Sequence, residues 1–113
     1  MTSIYSGYGW NRDLVGECDG DMICLGHGWG KNQVGCFSDG YVYSGYGWNK
    51  DQIGSYKSGE VYSGYGWGQE HVGSYESGRI YKGRGWSREQ IGEYDGPDDG
   101  PAAAALLLGL LVK

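Results

Sequence analysis

The side chains in this 113-residue chain that could support metal or covalent chemistry are few: Cys18, Cys24, Cys36, His27 and His71. Cys18, Cys24, His27 and Cys36 are spaced C-x5-C-x2-H-x8-C. Structural zinc sites favour close thiolate pairs such as C-x2-C, and this set has none. A repeat in the sequence supplies a plainer reading, in which Cys24 stands where equivalent units carry Tyr5, Tyr43, Tyr62 and Tyr81. Cys18 stands in the slot of Phe37, Tyr56, Tyr75 and Tyr94, so both thiols read as small apolar substitutes at packing positions. His27 replaces Tyr8, Tyr46 and Tyr65, and His71 replaces Gln33, Gln52 and Gln90, with no nucleophile or carboxylate placed specially beside either. Nucleophilic catalysis needs such a singular pair, whereas repeats multiply positions. The acids Asp13, Asp51, Glu70 and Glu89 alternate with Arg12, Lys50 and Arg88 and read as solvated loop charges. The Gly-x-Gly stretches lack the third glycine and following helix of a dinucleotide site. No catalytic, metal or cofactor residue is assigned, and the expectation is a protein that is not an enzyme.

The aromatic edge Gly-Tyr-Gly-Trp is the better candidate. Tyr8 with Trp10, Tyr46 with Trp48 and Tyr65 with Trp67 recur beside Asn11, Asn49 and Gln69. Two readings follow. A tryptophan at one fixed slot in every unit reads first as a packing residue between neighbouring hairpins. Alternatively, flat aromatic faces beside amides suit sugar rings, and repetition would confer avidity. Arg84 takes the tyrosine slot of the fifth unit, before Gly85 and Trp86, as a degenerate site or an end cap.

The elements that position these residues are set by the period. Trp10, Trp29, Trp48, Trp67 and Trp86 fall 19 residues apart. Gly16, Gly35, Gly54, Gly73 and Gly92 follow them at a constant offset, and so do the β-branched residues Val15, Val34, Ile53, Val72 and Ile91. A second β-branched set, Ile4, Ile23, Val42, Val61 and Ile80, precedes the tryptophans. Such self-similarity marks a repeat architecture. Within a unit, short runs around Val61–Ser63 and His71–Tyr75 flank a glycine-bearing polar stretch, which predicts two strands and a turn. Strict alternation places Val61 and Val72 on one face, and Tyr62, Tyr75 and the glycines on the other.

A lone hairpin is not stable in water, so the five must pack together. The expected fold is all-β: five hairpins in a ring about a pseudo-symmetry axis, with a β-solenoid as the alternative. The repeat domain spans residues 1–96, with units 4–22, 23–41, 42–60, 61–79 and 80–96. An acidic Pro/Gly linker, 97–101, leads to an apolar tail, 102–113. As a helix, the eleven residues from Ala102 to Val112 reach about 16 Å, against a hydrocarbon core of about 30 Å. The tail therefore reads as a short docked helix with no transmembrane role, or as a leucine face for self-association.

The runs Val42-Tyr43-Ser44-Gly45 and Gln52-Ile53-Gly54-Ser55-Tyr56, followed by a Ser-Gly turn, resemble the small bacterial β-flower repeat proteins. That resemblance implies hairpin units about a pseudo-symmetry axis and an Ala/Leu-rich tail after a Gly/Pro linker. The named type has four units; this chain has five.

Composition agrees with an ordered fold: 24 glycines accompany 11 tyrosines and five tryptophans, whereas disordered chains are poor in aromatics. A net charge of −5 without a Lys/Arg cluster argues against nucleic acid. The odd cysteine count and an amino terminus without a signal pattern point to a cytoplasmic protein with reduced thiols. The expected role is a structural or protein-interaction module, with self or another protein as partner. The alternative is a multivalent carbohydrate binder using the Tyr-Gly-Trp edges.

Overall fold

A computed structural model describes the chain apart from residues 8, 27–29, 46, 65, 84–87, 112 and 113 and the side chains of Asn11 and Asn49. Each unit forms one hairpin. The pairs are β1 (Thr2–Ser6) with β2 (Asp13–Asp19), β3 (Met22–Leu25) with β4 (Asn32–Ser38), and β5 (Tyr41–Ser44) with β6 (Asp51–Lys57). They continue with β7 (Glu60–Ser63) and β8 (Glu70–Glu76), then β9 (Arg79–Lys82) and β10 (Glu89–Asp95). Successive units are joined by two-residue turns. At Asp39-Gly40, Ser58-Gly59 and Ser77-Gly78 both residues have positive φ, the conformation whose twist matches that of the flanking strands.

Every strand pairs antiparallel with its sequence neighbours, and β1 pairs with β10, closing a ten-stranded barrel. The ring of five hairpins is therefore the architecture, and closure between the first and last units excludes the solenoid. The molecule measures 39 × 38 × 24 Å, a squat ring.

Strict alternation fails at one place in every unit, and always the same place. Val61 faces Gly73 and Tyr62 faces His71, so Val72 is an extra residue on its strand. The same bulge inserts Val15, Val34, Ile53 and Ile91. The extra residue leaves the β-branched side chain and the following glycine both on the barrel's inner side. The expected facing is corrected accordingly. Val61 and Val72 share the core, as expected, but Gly73 and Tyr75 join them there, and Tyr62 is left on the outer wall beside Ser55.

Ile4, Ile23, Val42, Val61 and Ile80, one per unit, are fully buried around the interior. The centre is filled by the tail. Helix α1 (Asp99–Leu107) starts within the segment read as linker, and Ala102, Ala103, Ala104 and Ala105 have no exposed surface. The tail enters at the two-residue-turn end, where the backbone N–H of Asp98 donates to Thr2 Oγ1 at 2.9 Å. At this end Gly100 lies against the ring of Tyr56.

Beyond the alanines, five leucines meet five glycines. Leu106 lies over Gly92, Leu107 over Gly73, Leu108 over Gly54, Leu110 over Gly35 and Leu111 over Gly16. Consecutive leucines thus contact units five, four, three, two and one. A helix turns about 100° per residue, more than the roughly 72° between fivefold units, so the match drifts. After Leu107 the helix gives way to turn, and Gly109, at φ +80°, re-phases the chain for the last two contacts. The leucines thus dock into their own barrel. No helix among the described residues is long and apolar enough to cross a membrane.

A Cβ on Gly54 would press on the Tyr62 carbonyl and come within 2.6 Å of Leu108 Cδ1, whereas one on Gly68 would meet nothing within 4 Å. Gly54→Ala is expected to destabilise by about 1–3 kcal/mol through overpacking, and Gly68→Ala to stay within about 0.5 kcal/mol of the parent. Chemical denaturation of the two variants checks the contrast; equal stabilities would contradict it.

Candidate functional site

Between the two strands of a unit lies the tryptophan loop. It is a single 3-10 turn at Gly9–Asn11, Gly47–Asn49 and Gly66–Gly68. Its first residue has φ of +64°, +68° and +61° respectively, a conformation glycine adopts without strain. The turn carries the next residue away from the barrel. Trp10, Trp48 and Trp67 are 103%, 103% and 104% exposed, so the packing reading does not hold for them. The leucines and Val15, Val34, Ile53, Val72 and Ile91 pack against the core at this end, and a cavity of about 370 Å³ opens there between Val72, Ile91, Leu106 and Leu107 that none of the three indoles enters. An indole offers about 150–250 Å², worth some 4–6 kcal/mol of burial at about 25 cal/mol per Å². Three indoles therefore stand at equivalent corners of one barrel end with that burial unused. Tyr8, Tyr46 and Tyr65, the other candidate contacts, lie outside the described residues, as do Trp29, Trp86, His27 and Arg84.

The loops are braced from below. The residue two after each tryptophan folds back onto the outer wall. Arg12 reaches Glu93 at 2.6 Å and covers the Tyr5 ring at 4.0 Å. Lys31 lies 3.3 Å from Asp19 and 3.5 Å from Glu17. Lys50 covers Tyr43 at 4.5 Å, and Arg88 covers Tyr81 at 4.1 Å and lies 3.5 Å from Glu76. In the fourth unit the position holds Gln69, whose Oε1 is 3.5 Å from the Ser55 hydroxyl. The hydrogen bond to Glu93 raises the pKa of Arg12, and that to Asp19 raises the pKa of Lys31. Arg12, Lys50 and Arg88 are therefore clamps rather than the free loop charges expected of them. Their signal was present in the repeat: a tyrosine five before the tryptophan and a cation two after it.

The thiols do not converge. Cys18 lies opposite Ile23 in the core, while Cys24, the next residue along β3, lies opposite Glu17. Among the described residues no three His, Cys, Asp or Glu side chains are grouped to hold a metal ion. Burial above all, with Asp98 and Cys24 adding to it, pushes the Cys18 thiol up to about 12, and burial also raises Cys24. Cys36 is half-buried. His71 does gain a carboxylate: Nε2 is 3.1 Å from Glu60, out of line for a hydrogen bond. Its ring meets Tyr62 edge-on, with centroids 5.5 Å apart.

No family model, curated protein or solved structure matches this chain.

Replacing Trp10, Trp48 or Trp67 singly by Ala is expected to change stability by less than about 0.5 kcal/mol. Acrylamide should quench these indoles as readily as free tryptophan; a shielded emission would contradict their placement. The thiol sets a pH limit. Folded Cys18 holds its proton up to about 12, whereas the reference value is 9.0. Its contribution is thus full below about pH 9 and is lost as pH rises toward 12, at up to about 1.4 kcal/mol per unit. Burial raises Tyr56 and Tyr75 as well, which extends the decline above pH 10. Melting temperature should fall from pH 9 upward, and Cys18→Ala should flatten the first part of that fall.

Proposed function

We propose that this protein is a non-enzymatic, multivalent binding module of the β-flower kind, and that its tryptophan loops carry the contacts to neutral carbohydrate. The observation that carries this reading is the complete exposure of Trp10, Trp48 and Trp67 at equivalent corners of one barrel end. An aromatic side chain has only two torsions to fix on binding, a small entropy cost that favours stacking on the C–H faces of pyranose rings. Several weak contacts on one rigid ring add by effective concentration, so the module would favour a dense glycan surface over a free sugar.

Binding to a densely glycosylated surface should exceed binding to the same sugar in solution by about 10²–10⁴. Replacing Trp10, Trp48 and Trp67 together by Ala should abolish that difference without unfolding the barrel. A glycan array on which parent and triple variant bind alike overturns the reading. A blank array with tryptophan-dependent retention of a protein partner would favour the protein-interaction alternative instead.

A further inference from the structure

The five units differ in one row of the outer wall, and among the described residues the difference opens a groove beside Tyr41 and Tyr62. Five rows of three side chains lie side by side across neighbouring strands, each row bridging adjacent hairpins. The rows are Ser3–Glu17–Cys24, Met22–Cys36–Tyr43, Tyr41–Ser55–Tyr62, Glu60–Ser74–Tyr81 and Arg79–Glu93–Tyr5. The middle row sets two tyrosines on either side of one small hydroxyl. Two strand spacings separate their backbones by roughly 10 Å, room for a flat ring between them.

The loop above this row differs too. Where Tyr5, Tyr43 and Tyr81 are covered by Arg12, Lys50 and Arg88, Tyr62 has Gln69 above it. Among the described residues no cation sits over Tyr41 or Tyr62. His71 replaces the glutamine of the second, third and fifth units and meets the Tyr62 ring edge-on. Tyr41 remains 46% exposed. The outcome is a groove of about 510 Å³ lined by Tyr41, Tyr62, Ser55, Gln69, Asp39 and Lys57. That volume is in the range of small-molecule sites, about 300–1,000 Å³.

We infer that this groove is a single saccharide-binding site on the barrel wall, one per chain and separate from the tryptophan loops, for a neutral ligand of one or two pyranose rings. The tyrosines supply apolar faces. The Gln69 amide and the Ser55 hydroxyl supply one donor–acceptor set for sugar hydroxyls. Asp39 and Lys57 carry opposite charges, so the groove selects neither an anion nor a cation.

The test restores what the other units have. Gln69→Arg places a guanidinium where Arg12 and Arg88 sit and should seat it on Tyr62, closing the groove. Tyr41→Ser, the residue of the first unit at this slot, removes the other wall and covers the case in which the arginine variant fails to fold. Cellobiose, maltose and lactose are titrated into the full chain, with protein amide shifts as readout. At least one sugar is expected to bind saturably at one per chain, with shifts at Tyr41, Ser55, Tyr62 and Gln69. Each variant should weaken it at least tenfold, while Ala at Trp10, Trp48 and Trp67 leaves it unchanged. Absence of saturable binding by all three sugars, shifts confined to the tryptophan loops, or retention of affinity in a folded variant would overturn the proposal. Loss of glycan-surface binding in the tryptophan variant alone speaks to the loops and leaves this site standing.

Discussion

A ten-stranded barrel encloses more space than its own inward side chains fill, because about eight strands already leave an interior just wide enough for them. This chain meets that constraint from outside the repeat. Its inward residues are β-branched side chains, glycines and, toward the two-residue-turn end, Cys18, Phe37, Tyr56, Tyr75 and Tyr94, and the volume they leave is taken up by four alanines near the axis and five leucines beyond. Each unit contributes a glycine because a leucine must come to rest on its backbone there, and any Cβ would also press on the neighbouring strand's carbonyl. The bulge before each glycine brings that bare backbone to the inner side. Repeat, bulge and tail are thus one solution to one packing problem.

With the tail supplying the core, Trp10, Trp48 and Trp67 stand outside it. The leucines and the bulged β-branched ring pack at the end from which the loops rise, and the positive-φ residues Gly9, Gly47 and Gly66 direct the indoles that follow them outward. The clamps on the outer wall then fix the loops. Arg12 to Glu93 joins the first unit to the last, so the same contact that holds a loop also fastens the seam of the ring. Surface pairs of this kind are individually weak, about 0–1 kcal/mol, and their role here is orientation.

The period, the hairpins, their turns and the all-β ring were legible because each rests on local signals repeated five times. The bulge was not. A Val-Gly step inside a strand obeys alternation on paper, and only pairing with the partner strand reveals the extra residue. The destination of the tail was hidden for a related reason: Ala102–Ala105 read as a docking segment, but choosing between the outside and the inside of the ring needs the barrel's radius. Exposure of the indoles was hidden as well, since the turn that starts at Gly47, with its positive φ, decides where Trp48 can go. The clamps were within reach, as Tyr43 with Lys50 and Tyr81 with Arg88 keep a constant spacing. The wall groove lay where the repeat breaks, at Tyr41 and Gln69, and reading for similarity passes over such positions.

The account depends most on the tail as the missing part of the core. Five leucines at about 2–5 kcal/mol each match or exceed the total stability of a small domain, about 5–15 kcal/mol. The decisive measurement is thermal unfolding and hydrodynamic radius of the chain ended at Gly96, alone and with a synthetic peptide of residues 97–113 added back. The account predicts an expanded chain without a cooperative transition, which recovers a compact, cooperatively melting state when the peptide is supplied. A chain ended at Gly96 that is compact and melts at the temperature of the intact protein would contradict it.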